Sequence, residues 1–115
     1  MLPVQNIGSV SVIKVRSPLQ DDCLAKARSS LNDCLENRQF RLVLNLHECP
    51  LINSQGLEFI VDAQQECLAR GGRLVLAEPQ PLTSEILGAT GVDERVAGYR
   101  DTRGARSAFA RQRGL

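Results

Sequence analysis

At 115 residues the chain has the length of one domain, long enough to bury roughly two-thirds of its unfolded surface in a single core without staples. An apolar fraction of 43% with 23% charged residues is that of an ordinary soluble protein and excludes disorder as a whole-chain description. A net charge of +1 lacks the basic excess of a dedicated nucleic-acid binder.

The elements alternate along the chain. A short extended piece at Leu2 to Gln5 is expected to pair as an antiparallel edge with a strand over Ser9 to Arg16, which is β-branched and bounded by Gly8 and Pro18. Asp21 or Asp22 can cap a helix whose apolar face reads Leu24, Ala27, Leu31, Cys34 and Leu35. Arg41 to His47 is a compact apolar run, the pattern of a central strand covered on both sides. The loop from Glu48 to Ser54 feeds a second helix with a predicted stripe of Leu57, Ile60, Val61, Cys67 and Leu68, closed by Gly71 and Gly72. Arg73 to Ala77 reads as a further buried strand, and Pro79 and Pro81 precede a short helix carrying Leu82, Ile86 and Leu87. Gly91-Val92 and then Val96 to Tyr99 suggest a last short strand, and Thr102 can cap a final helix with Ala105, Ala108 and Phe109 inward.

This order predicts one α/β domain over residues 1–115, with a four- to five-stranded, mostly parallel sheet and about four helices. In such sheets functional loops gather at the carboxyl ends of the strands, which is where the Cys49–Ser54 loop falls.

Several classes of function find no support. The four cysteines (Cys23, Cys34, Cys49, Cys67) have no CxxC spacing and one histidine, His47, for company, so they read as reduced packing residues and not as a zinc site. No paired carboxylates, Ser/His/Asp order or phosphate-cradling glycine loop marks a catalytic centre, so no catalytic residue, metal or cofactor is assigned. No basic start with an apolar core and cleavage site opens the chain, and no apolar run approaches the roughly 18 residues of a membrane span. The expected location is therefore the cytoplasm. From Arg95 onward six arginines face one acid, Asp101, giving that segment +5 and the first 94 residues −4. This is either a solvated basic helix or a patch that steers acidic partners.

Asn53-Ser54-Gln55-Gly56-Leu57 is the most informative segment. Asn and Ser both cap helices well, since a side-chain oxygen can accept from a backbone N–H that lacks an intrahelical partner. Gly56 is out of place in a first turn, where it costs about 1 kcal/mol relative to alanine, unless another backbone or a partner surface must come close. A phosphate on Ser54 would sit at the positive end of the helix dipole and would change the outer surface while sparing the interior.

With these residues in hand, the run from Arg41 to Phe109 resembles the STAS domain family of anti-sigma factor antagonists and related transporter domains. The matching pieces are LVLNL (Leu42 to Leu46), LINSQGLEFIVDA (Leu51 to Ala63), RGGRLVLAEPQP (Arg70 to Pro81), EILGATGVDERV (Glu85 to Val96) and RDTRGARSAF (Arg100 to Phe109). The family usually has Asp-Ser-Ser-Gly-Leu where this chain has Asn-Ser-Gln-Gly-Leu, and its phosphorylated serine falls on Ser54. The resemblance implies an antagonist that docks on an anti-sigma factor serine kinase, frees the sigma factor, is phosphorylated and released, and is reset by a phosphatase. Transcription would thus be regulated by partner switching, without direct nucleic-acid contact. The expected contact residues are Asn53, Ser54, Gln55 and Gly56, with Glu58 and Asp62 on the outer face of the helix and Gln20 and Asp21 on the neighbouring loop. A homodimer is compatible with this scheme. The chain departs from the family at Asn53, which replaces an aspartate, and at Arg16 to Gln20, which replace a Gly-Glu-Leu-Asp-like motif. Two alternatives stand beside it: a subunit of an ABC-type lipid-transport complex, and a scaffold or sensor domain in a signalling assembly that binds a nucleotide or other small ligand.

Overall fold

The structure is a computed structural model that describes residues 1–113, with side-chain surroundings for residues 1–109. The side chains of Arg111 and Arg113 in the basic segment, and residues 114–115 of the expected domain, lie outside the described residues.

Five strands form one sheet in sequence order: β1 (Val4–Ile7), β2 (Val10–Lys14), β3 (Arg41–Asn45), β4 (Arg73–Ala77) and β5 (Gly98–Tyr99). β1 and β2 are an antiparallel pair, and all later pairings are parallel. A parallel sheet in chain order needs crossovers of one hand, which place the intervening helices on a single face. That face carries α1 (Asp21–Glu36), α2 (Ser54–Ala69), α3 (Pro81–Ala89) and the single turn α4 (Val92–Arg95). The last helix, α5 (Thr102–Arg113), packs alone on the other face.

Strand alternation sorts the core into two clusters. Leu42, Leu44, Leu74 and Leu76 point into the larger cluster with α1 to α4, whereas Val43, Val75 and Ala77 meet Ala105 and Phe109 of α5. Covered on both sides, β3 and β4 are apolar at successive positions, as expected of central parallel strands.

Several expectations need correction. Neither Asp21 nor Asp22 caps α1: Gln20 occupies the cap position in extended conformation with no side-chain bond, and both aspartates sit in the first turn. Thr102 does not cap α5, because the Asp101 carboxylate takes the Gly104 N–H at 2.6 Å. The buried stripe of α2 is Gly56, Phe59, Ile60, Ala63, Gln64 and Cys67. Leu57 and Val61 are half-buried at its edge, and Leu68 is 54% exposed. Leu82 of α3 is 50% exposed while Thr83 and Leu87 are buried. Residues 92–95 form a helical turn, which shortens the last strand to Gly98–Tyr99.

Candidate functional site

The carboxyl edge of the sheet is organised by main-chain bonds between loops. After β3, the Leu46 N–H donates to the Ala77 carbonyl at 2.8 Å and the Cys49 N–H to the Leu46 carbonyl at 3.1 Å, folding the chain back into a turn. Leu51 then faces the loop that follows β2: the Leu19 N–H donates to the Leu51 carbonyl at 2.8 Å, and Leu19 and Ile52 form a one-residue parallel bridge. The starts of α1 and α2 are thereby tied side by side. Gln20 and Asp21 follow directly on Leu19, as Asn53 and Ser54 follow on Ile52.

This tie explains Gly56. A Cβ there would strike the Leu19 carbonyl oxygen and lie 2.8 Å from Ile52 Cγ2. The close approach is made by the protein's own backbone, and Gly56 is buried by it. Sequence reasoning flagged the glycine but not Leu19, whose role becomes visible only when the two loops meet.

At the head of α2, the Asn53 side-chain oxygen accepts from the Gly56 N–H at 2.8 Å, and the Leu57 N–H donates to the Asn53 carbonyl at 3.0 Å. Capping is therefore done by Asn53. Ser54 is the first residue of the helix, exposed, with a hydroxyl the cap does not require. Gln55, Glu58 and Asp62 are exposed as well, and Leu51 beside them is 39% exposed. Ser54, Glu58 and Val61 share a stripe by helical spacing. Leu57, Glu58, Val61 and Asp62 line one side of a shallow groove of about 290 Å³, with Val92 and Arg95 of α4 on the other. The structure thus brings Gln20, Asp21, Asn53, Ser54, Gln55 and Gly56 to one edge, and Glu58 and Asp62 continue from it down α2.

A second polar group lies behind this edge, on the α5 side. Asn45 Nδ2 donates to Glu78 Oε2 at 2.7 Å and to Thr102 Oγ1 at 3.0 Å, and the Thr102 hydroxyl donates to the same carboxylate oxygen at 3.1 Å. Glu78 holds a left-handed φ of +57°, an uncommon state for a residue with a side chain. His47 is bound through its main chain: its N–H donates to Asn45 Oδ1 at 3.0 Å and its carbonyl accepts from Gln80 Nε2 at 2.6 Å. Its ring is 72% exposed, with Nδ1 3.7 Å from Glu78 Oε1. No pattern in the sequence announces this cluster.

All four cysteines are free and buried. Burial pushes the Cys67 thiol up to about 12 and the Cys34 thiol up to about 11, and it raises Cys49 as well, against two backbone hydrogen bonds that lower it. Thiols so far from ionisation are poor nucleophiles and poor metal ligands. Among the described residues no three metal-ligating side chains gather, and no helix is long and apolar enough to cross a membrane.

No curated protein matches this chain. Solved structures share its fold. An anti-sigma-factor antagonist (STAS) domain protein from Planctomyces limnophilus superposes with a TM-score of 0.83 at 21% identity, covering 95% of this chain and 97% of that one. The Bacillus cell fate determinant SpoIIAA in its phosphorylated form gives 0.72 at 14% identity, covering 95% and 99%. The STAS domain of a SulP transporter from Vibrio cholerae gives 0.76 at 18% identity, covering 94% and 86%. Identities this low speak for the fold alone. Residues 1–105, however, match the sequence profile described as STAS domain, and that span includes every strand and the whole carboxyl edge. On that match the chain belongs to the STAS domain family.

Proposed function

We propose that this chain is an anti-sigma factor antagonist, which docks through the edge around Ser54 on a serine kinase that is itself an anti-sigma factor and is released when the kinase phosphorylates Ser54. The observation that carries the reading is the division of labour at the head of α2. Asn53 fixes the helix start and Gly56 fixes its seat on Leu19, so Ser54 can gain a phosphate without dismantling either. The phosphate would lie against N–H groups that have no intrahelical partner, in a first turn that contains no acid. The added charge of about −1.5 to −2 would fall on the docking face and be felt across the interface. Gln20, Asp21, Asn53, Gln55, Glu58 and Asp62 supply the surrounding contacts, with Gly56 acting through backbone shape. In this scheme the chain contributes a hydroxyl and a surface, the kinase supplies catalysis, and a phosphatase restores the free serine. Similarity to a phosphorylated SpoIIAA supports the scheme.

The test is to incubate the protein with its cognate serine kinase and ATP, then locate the modified residue by mass spectrometry. One phosphate on Ser54, absent from Ser54→Ala, is expected. Equal labelling of the Ala variant would remove the proposal. Stable co-purification with an ABC ATPase, in place of a kinase, would favour the transport-complex reading, for which the likeness to a transporter's STAS domain is the supporting observation.

A further inference from the structure

The edge strand β5 carries a gap. Gly98 pairs with Leu76 across the parallel ladder, so position 98 faces the same side of the sheet as Leu76, towards α3 and α4. A Cβ at Gly98 would meet nothing within 4 Å, and the backbone there is not left-handed, so neither crowding nor conformation calls for glycine. The space that a side chain would fill is part of a cleft of about 540 Å³ between α3, α4 and β5. This size is within the usual range of small-molecule sites.

The floor and rim differ in chemistry. Leu76, Leu87 and Val96, all buried, form an apolar base, and Ser84, Asp93 and Arg100 stand around the mouth. Asp93 and Arg100 carry opposite charges but do not pair with each other or, among the described residues, with any other side chain. A simple anion on Arg100 would leave Asp93 repelling it, and a neutral apolar molecule would satisfy neither. A molecule with an anionic group, a cationic group and an apolar body satisfies all three surfaces at once.

We propose that this cleft binds a free α-amino acid with a branched-chain or aromatic side chain. Its carboxylate sits on Arg100, its ammonium on Asp93 and its side chain over Leu76, Leu87 and Val96. This goes beyond the docking role of the α2 edge and does not depend on it. Because both charged groups are exposed, added salt weakens binding.

The experiment is an NMR titration of the full-length protein with L-leucine and L-phenylalanine. The comparators are leucinamide, which lacks the carboxylate, isocaproate, which lacks the ammonium, and glycine, which lacks the body. Saturating shifts of the Asp93, Gly98, Tyr99 and Arg100 amides are expected with the two amino acids, and binding at least about tenfold weaker with each comparator. Gly98→Val projects a branched side chain into the cleft beside Leu76 and weakens leucine binding at least about tenfold. Arg100→Gln and Asp93→Asn, changes at exposed positions, bring leucine down to the level of leucinamide and of isocaproate respectively. Absence of saturating shifts, equal binding of leucine and isocaproate, or undiminished binding by both charge-neutralised variants would overturn the proposal.

Discussion

Two helices begin side by side at the carboxyl edge of the sheet, and they begin differently. α1 starts without a side-chain cap: Gln20 is extended, the Leu24 N–H donates to its carbonyl at 3.2 Å, and Asp21 adopts a left-handed φ of +48°. Its first turn holds two acids, Asp21 and Asp22, which already offset the positive end of the helix. α2 starts with a well-made Asn53 cap and no acid in its first turn. A phosphate at the head of α1 would meet two carboxylates within its own first turn, whereas the first turn of α2 holds none and the nearest acid on Ser54's stripe is Glu58, one turn on. The difference separates an uncapped start that already carries negative charge from a capped one whose first turn carries none.

The two starts are coupled through Gly56, and the largest effect should come from breaking that contact. Alanine in a first turn ordinarily gains about 1 kcal/mol over glycine. Here its Cβ would be driven into the Leu19 carbonyl, so Gly56→Ala should instead destabilise by about 2–3 kcal/mol in urea unfolding. Gly72→Ala is the matched control, because its Cβ would strike the Phe40 carbonyl at the opposite edge of the sheet. Both should lower stability, but only Gly56→Ala should change docking at the Ser54 edge once the remaining folded protein is compared. A stabilised Gly56→Ala would show that the two helix starts are not tied.

The same helices also carry Cys34 and Cys67 in their buried faces, and there the comparison can be sharpened by pH. Both thiols are raised when folded, to about 11 and about 12, from an ordinary value of 9.0. The folded protein therefore keeps protons that the unfolded chain releases. Stability from this source is fully present below pH 9 and is lost as pH rises through the folded values, with a limiting slope of about 1.4 kcal/mol per pH unit for each thiol. Urea midpoints measured between pH 8 and pH 10.5 should fall, and should fall less steeply in Cys67→Ala after correction for its lower starting stability. An unchanged slope would mean that Cys67 is not withheld from solvent.

How much of this could be read in the sequence depends on whether a single segment held the reason. Arg73 to Ala77 was legible to the residue, because an apolar run stands between Gly71-Gly72 and Glu78-Pro79. The position of Ser54 at a helix head was legible for the same local cause. The phase of α2 was not: counting large aliphatics selects Leu57, Val61 and Leu68, but the helix turns Phe59, Ala63 and Gln64 inward. Gln64 is buried because its side chain continues the sheet's bonding. Its oxygen accepts from the Leu74 N–H at 2.7 Å, and its amide donates to the Arg95 carbonyl at 3.4 Å. That role exists only after β4 and α4 have arrived. Thr102 was misread for a similar reason, since its hydroxyl is engaged by Asn45 and Glu78 and a neighbouring aspartate takes the cap. Long-range contacts decided each case, and sequence spacing does not encode them.

Removing the cap should have a middling effect. Asn53→Ala loses the acceptor for the Gly56 N–H and should cost about 1 kcal/mol. Asn53→Asp keeps the acceptor, so its stability should stay close to that of the original protein. If Asn53→Ala were silent in thermal unfolding, the Leu19 contact alone would be fixing the helix start.

The smallest effect on stability belongs to the residue with the largest expected effect on function. Ser54→Asp places a carboxylate at the first helical position, where the N-terminal dipole favours it by a few tenths of a kcal/mol. Because Ser54 is exposed and does not make the cap, no core contact is lost. The melting temperature should therefore hold or rise slightly, while affinity for the kinase partner falls at least about tenfold through charge on the docking face. Ser54→Ala should bind as the unmodified protein does and resist release by ATP. The same change made at α1, a charge added next to Asp21 and Asp22, should instead lower the melt. If Ser54→Asp also lowered it, the two helix starts would be electrically alike, and α2 would lose its claim to be the one prepared for a phosphate.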